Sequence, residues 1–216
     1  MALYTLADLH LATDVAKPMD IFGGRWEGHT DKIIKNWRAL IAPEDTVVLG
    51  GDISWGISLA EARGDFALID SLPGRKIILK GNHDLWWVTA SKMHRFLDEN
   101  GFTSIDFLHN NCFFYENTAL CGTRGWPFEE DFADPHNEKI FKRELLRLEA
   151  SLKLGAAKQP DEIICFLHYP PLYSTYRCEA IVELLKKYGV KRCVYGHLHG
   201  NSLRYAVTGE ADGIEW

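Results

Sequence analysis

The sequence predicts a layered α/β domain with mixed β-sheets, and three observations carry that prediction. Over the first hundred residues, short apolar runs alternate with longer segments of helical periodicity. Each apolar run passes directly into a polar cluster. Midway, the hairpin-like stretch "CFFYENTALCG" (112–122), with Asn117 near its turn, interrupts the alternation and requires antiparallel pairing beside parallel strands.

The elements follow in order. Leu3–Ala7, Thr46–Leu49, Lys76–Leu79, Ile163–Leu167 and Arg192–Tyr195 are short and apolar, and read as strands. Thr30 is placed to cap "TDKIIKNWRALI", which Pro43 ends. Ser58 and Glu61 form a capping box for "SLAEARGDFALIDSL", ended by Pro73 and Gly74. Thr89 starts "TASKMHRFLDEN", closed by Gly101. Two later helices precede Gly155 and Gly189, and "SLRYAVTG" (202–209) reads as a further strand. The stretches 11–29 and 123–136 are long irregular loops, which in a compact domain usually serve a site. The chain stops in "GEADGIEW", an apparent strand whose partner is not yet written, so further strands are expected beyond it.

At 216 residues the chain suits one domain, spanning 1–216. Hydrophobic residues at 46% and charged residues at 25% are ordinary for a soluble globular protein. The opening "MALYTLADLH" lacks a basic segment followed by an apolar one, so a cytoplasmic location is expected. No apolar run approaches the roughly 20 residues that span a bilayer, so no membrane partner is expected. The net charge is −6 and the basic residues are scattered, which argues against a duplex nucleic acid as partner. The five cysteines form no CxxC pair and read as reduced core thiols; Cys112 and Cys121 flank the hairpin and could face each other.

The chemistry sits where the strands end. In order they deliver Asp8 and His10 in "ADLH", Asp52 in "GGD", Asn82, His83 and Asp84 in "GNHD", His168 in "LHYPP", and His197 and His199 in "GHLH". Carboxyl ends of strands in open α/β sheets converge on one crevice. On an extended backbone, the spacing of Asp8 and His10, and of His197 and His199, aims both members of each pair the same way. Singly, each motif has an ordinary structural reading: Gly-Gly-Asp as a turn, His168 as a strand cap, Asp84 as a cap on the following segment. Five strand ends in succession carrying only carboxylate, imidazole and amide groups is a different matter. Such a donor set without thiolate suits Mn²⁺, Fe²⁺ or Zn²⁺, and so many donors fit two ions sharing a carboxylate better than one. Two divalent ions would leave a net positive site inside an acidic protein, suited to a phosphate ester.

The ordered set Asp-x-His, Gly-Asp, Gly-Asn-His-Asp, a lone His and Gly-His-x-His, from Asp8 to His199, resembles the calcineurin-like metallophosphoesterase superfamily. The resemblance implies a four-layer sandwich of two mixed β-sheets flanked by α-helices. It implies one metal held by Asp8, His10, Asp52 and His199, and a second held by Asp52, Asn82, His168 and His197, with Asp52 bridging. A metal-bridging hydroxide would attack phosphorus while His83 protonates the leaving oxygen. His83 and Asp52 are thus the expected catalytic residues, and Arg124 and Asn82 the expected substrate contacts.

The chain departs from the protein phosphatase branch. It has "GGDISWG" where that branch carries Asp-Arg-Gly, and "LKGNHD" where an Arg precedes Gly-Asn-His. The expected substrate is therefore a small-molecule or nucleotide phosphomonoester or phosphodiester. The alternatives are a phosphoprotein phosphatase of relaxed specificity, or a scaffold of this fold without activity. Trp55, Trp86, Trp87 and Trp126 lie near the motifs and either wall a pocket or pack the loops; for Trp86 and Trp87, packing is the expectation. His29, His94, His109 and His136 read as surface or structural.

Overall fold

Four short strands, β1 (Leu3–Leu6), β2 (Thr46–Leu49), β3 (Arg75–Ile78) and β4 (Ile105–Phe107), pair in that order and all in parallel. Parallel neighbours need a crossover, and helices α1 (His29–Leu40), α2 (Arg63–Ser71) and α3 (Ala90–Asn100) supply the three. The computed structural model describes residues 1–127 and 134–216, which divide into two compact units, Met1–Phe107 and Leu108–Trp216.

In the first unit β2 is buried along its whole length, as a central parallel strand should be. Phe66, Trp86, Met93 and Phe107 fill the core with Val47, Leu49 and Ile78. Trp86 meets Phe66 edge to face at 4.9 Å, so this indole is core, as expected. Truncating a side chain of this size to alanine costs about 3–5 kcal/mol.

The second unit carries a six-stranded sheet. Its members are β5 (Phe113–Tyr115), β6 (Thr118–Thr123), β7 (Glu162–Leu167), β10 (Arg192–Tyr195), β11 (Glu210–Ala211) and β12 (Ile214–Glu215), in the order β11-β12-β10-β7-β6-β5. β8 (Leu172–Tyr173) and β9 (Tyr176–Arg177) form a separate hairpin. Helices α4 (Pro135–Ala156) and α5 (Glu179–Lys187) complete the unit. The expected hairpin is β5–β6, with Glu116 at φ 51° in its turn, and it makes this sheet mixed while the first is parallel throughout. Leu148, Leu152, Ile181 and Leu185 pack with Cys121, Cys165 and Cys193 in its core.

Several expectations change. Residues 202–209 are not a strand: a 3-10 turn spans Gly200–Tyr205. Ser202 Oγ donates to the His199 carbonyl at 2.7 Å and the Tyr195 hydroxyl donates to Val207, which folds the segment back instead of extending it. "GEADGIEW" finds its partners in the chain itself, as β11 and β12 turn at Asp212 and Gly213 and β12 joins β10. Ser58 does accept from the Glu61 N–H at 3.3 Å, but this closes a turn, and α2 starts only at Arg63. α1 begins at His29 behind left-handed Gly28, without a side-chain cap from Thr30. α4 runs past Gly155, whose missing Cβ would lie 2.5 Å from Cys121 Sγ. Of the expected loop 123–136, residues 128–133 lie outside the described residues. Among the described residues, no helix is long and apolar enough to cross a membrane.

Lys76 in β3 is fully buried, and its Nζ donates to the Leu72 carbonyl at 2.5 Å. Burial pushes the ammonium down to about 8 from 10.5. Between those values the unfolded chain binds the extra proton, so the contribution of Lys76 to stability rises with pH across that window and is flat below it. Urea unfolding of the wild type and Lys76→Met should show the wild type gaining on the variant from pH 8 to pH 10.5, with a constant difference below pH 8.

Candidate metal centre

Past the carboxyl ends of β1, β2 and β3 the chain leaves regular structure and knits three loops together. The N–H groups of Asp8, His10 and Leu11 donate to the carbonyls of Gly51, Asp52 and Ile53, each at 2.9 Å. Asp8, His10 and Asp52 are held at φ 58°, 46° and 54°. This left-handed region is uncommon for residues other than glycine and clusters at functional sites. Asp8 and His10 therefore do not share a direction through strand alternation, as their spacing predicts. They meet because both backbones turn out of the extended form.

The result is a tight group within the first unit. His10 Nε2 lies 3.9 Å from Asp8 Oδ1 and 3.8 Å from Asp52 Oδ2. Both separations exceed a hydrogen bond. They match two donors on one first-row cation, which stand roughly 3–4 Å apart for bonds of about 2.0–2.2 Å. The His83 N–H donates to Asp52 Oδ1 at 2.8 Å, and the Asn82 N–H also holds that carboxylate. Asp52 is 1% exposed. Burial first, then the neighbouring Asp84 and Asp8 carboxylates, push its carboxyl up to about 8. A divalent cation would offset that repulsion, so the donors present fit one.

Asp84 has a larger role than capping the next segment. Fully buried, its two oxygens accept from the N–H of Gly81 at 2.7 Å, Asp52 at 2.9 Å, Ile53 at 2.8 Å and Ser54 at 3.4 Å, and from Trp86 Nε1 at 3.0 Å. It joins the loop after β2 to the loop after β3. Gly81 sits in this junction because a Cβ there would lie 2.1 Å from Asp52 Oδ1. A second buried carboxylate that sequence reading missed, Asp65, accepts from the Thr13 N–H at 2.8 Å and the Ser54 hydroxyl at 2.5 Å, tying the loop after β1 to that after β2. Only its position on the inner face of an amphipathic helix could have signalled it.

The second unit presents its candidates past β7 and β10, which are adjacent and parallel, with Leu167 opposite Tyr195. His168 is fully buried and its ring lies 5.2 Å from that of His197, which is held at φ 69°. Tyr169 stacks edgewise on His197 at 4.7 Å. The Gly196 N–H donates to the His168 carbonyl at 3.1 Å, closing the two strand ends together. His199 follows on extended backbone, and partial burial lowers its imidazole, favouring the neutral form that binds a cation. The Arg124 carbonyl accepts from the N–H groups of His168 and Tyr169, and its guanidinium lies 5.9 Å from the Tyr169 ring.

The remaining residues sort plainly. Trp55 stacks on His10 and packs at a tilt against His83, whereas Trp87 and Trp126 pack against Phe107 and Phe141 respectively. His29 Nε2 lies 3.2 Å from the Leu9 carbonyl, and His94 meets Phe107 at its edge; both are structural. Cys112 and Cys121 continue the β5–β6 register opposite each other, as free thiols.

Gly81→Ala should leave a folded protein that binds Mn²⁺ at least tenfold more weakly by calorimetric titration, since the new methyl must displace Asp52. Asp84→Ala should cost about 3 kcal/mol or more in urea unfolding, because it strands several buried N–H donors at once.

No curated protein matches the chain. Among solved structures, a phosphopantetheinyl hydrolase from Mycobacterium tuberculosis is 14% identical, covering 98% of this chain and 86% of its own, at a TM-score of 0.60. A protein of unknown function from Aquifex aeolicus is 18% identical over 90% of this chain and 89% of its own, at a TM-score of 0.44. The mycobacterial structure shares the fold. The family of calcineurin-like phosphoesterases matches residues 1–201 of the 216. The chain belongs to the calcineurin-like phosphoesterases, and is a metal-dependent hydrolase acting on phosphoester bonds.

Proposed function

We propose that the protein hydrolyses a small-molecule or nucleotide phosphomonoester or phosphodiester with two divalent cations, Mn²⁺, Fe²⁺ or Zn²⁺. Asp8, His10, Asp52 and His199 would hold one ion; Asp52, Asn82, His168 and His197 the other. The observation that carries this reading is that all seven donors follow the carboxyl ends of parallel strands, β1, β2 and β3 in the first unit and β7 and β10 in the second, four of them (Asp8, His10, Asp52 and His197) at positive φ. Strain of this kind costs of order 1–3 kcal/mol per residue, and it is concentrated on chemistry-bearing side chains.

When bound, the cations supply Lewis acidity toward a phosphoryl oxygen and lower the pKa of a water. Asp52 is the shared carboxylate, held in place by the His83 N–H. Asn82 contributes a neutral oxygen, which keeps the site positive for an anionic substrate. His83 donates its imidazole proton to the leaving oxygen, which departs with the electron pair of the broken P–O bond. The water releases one proton to solvent as its oxygen forms the new bond to phosphorus, and His83 regains a proton from solvent. Arg124 is the proposed additional phosphate contact: its buried Nε has no hydrogen-bond partner among the described residues. The name of the mycobacterial neighbour makes a phosphopantetheinyl ester a sensible member of a substrate panel.

Assay on p-nitrophenyl phosphate and bis-p-nitrophenyl phosphate, with and without Mn²⁺, should show metal-dependent turnover, and the ratio of the rates separates monoesterase from diesterase. Asp52→Asn should abolish it. His83→Ala should lower it about 10²- to 10⁴-fold for a poor leaving group, with metal retained by calorimetry. An unchanged rate with a poor leaving group would remove His83 from the role of acid.

A further inference from the structure

The loop after β2 carries an indole into contact with two imidazoles of the first unit, His10 and His83. The Trp55 ring lies 5.0 Å from His10 at an interplanar angle of 24°, and 4.5 Å from His83 at 51°. His10 and His83 meet each other at 5.6 Å, so the three rings form one cluster. Trp26 closes the far edge of His10 at 5.6 Å.

Trp55 is itself well anchored. Its N–H donates to the Leu11 carbonyl at 2.9 Å, beside the parallel bridge between Leu11 and Ser54. Its Nε1 donates to Met19 Sδ at 3.1 Å. Lys17 Nζ lies 4.6 Å from the ring centroid, a cation–π distance. Residues 11–29, which form an irregular loop, thus fasten the indole from the side of Lys17 and Met19.

The His83 backbone is tied by the N–H donated to Asp52, a bond that leaves the side chain's two torsions to be set by contacts of the ring itself. A general acid acts only from the correct orientation, and a small misplacement costs heavily in rate. An indole packed against the imidazole at 4.5 Å, tilted by 51°, restricts both torsions at once.

We propose that Trp55 is a positioning residue, a wedge clamped by Lys17 and Met19 that holds the His83 ring in the orientation from which it protonates the leaving oxygen. This rests on the assignment of His83 as the acid.

Two measurements test it. In the metal-free protein, carbon–proton NMR of the imidazoles, with His83 assigned by its loss in His83→Gln, should show its ring protons shifted by the indole ring current. The shift should vanish in Trp55→Leu and persist in part in Trp55→Phe. A His83 signal indifferent to Trp55→Leu would overturn the proposal. In the metal-loaded enzyme, Trp55→Leu should slow phenyl phosphate hydrolysis about ten- to hundredfold and p-nitrophenyl phosphate hydrolysis far less, because the better leaving group needs little protonation. Adding Trp55→Leu to His83→Gln should then cost almost nothing more. Equal losses on both esters, or fully additive losses, would overturn the positioning role while leaving His83 as acid. If His83→Gln itself fails to discriminate between the esters, the acid assignment falls and the proposal with it. Should Trp55→Leu fold poorly by thermal melting, Trp55→Phe carries the same comparisons with smaller effects.

Discussion

The buried carboxylate of Asp84 is the constraint on which the first unit's site depends. Its oxygens gather backbone N–H groups from both sides of the β2 and β3 strand ends, and the Trp86 indole besides. A charge so deep is tolerated only when its lone pairs are filled by donors. One of those donors is the N–H of Asp52, the carboxylate proposed to be shared between cations. The clamp therefore sets where Asp52 stands, and Asp52 in turn accepts from His83. Orientation passes from a structural carboxylate to the proposed site residues through single hydrogen bonds.

Two like charges packed this closely repel, and burial raises both carboxyl groups. Left-handed backbone at Asp8, His10 and Asp52 adds a second unfavourable element. Packing around a fully buried β2, with Ile53 and Trp86 beneath the loops, supplies the compensation. Metal binding adds more, because cations reward the clustered oxygens that folding alone penalises. The architecture thus couples ligand geometry to a rigid sheet and not to the loops' own preferences.

The second unit handles its reactive groups in two ways. Its thiols retreat: Cys121, Cys165 and Cys193 are opposite one another across β6, β7 and β10, and burial pushes Cys121 and Cys165 well above the usual thiol range. Its imidazoles come forward at the ends of the same strands, where Tyr169 and His168 pack around His197. A one-residue change of register would turn Cys165 to the other face of the sheet and shift His168 against the end of β10, so the parallel ladder from Cys165 to Leu167 fixes where both groups stand.

By itself the sequence determined the strands that carry the motifs, the helices between them, the hairpin at 113–123 and the identity of every candidate donor. Those follow from local chemistry: apolar runs of strand length, glycines before polar residues, and donor types with a known affinity for cations. The tertiary structure alone decided how the donors are aimed. Asp8 and His10 meet through positive φ, a conformation set by the neighbouring loop's carbonyls and invisible in a two-residue spacing. Asp84 and Asp65 take their roles from partners some 30 to 50 residues away, such as Asp52 and Thr13, which no local pattern announces. The terminal β11–β12 hairpin and the turn at 200–205 were likewise settled by long-range partners, Arg192 for the one and Tyr195 for the other. Trp55 shows the same limit: its place in the sequence left open a pocket wall or loop packing, and only the folded loops reveal an indole seated against two imidazoles.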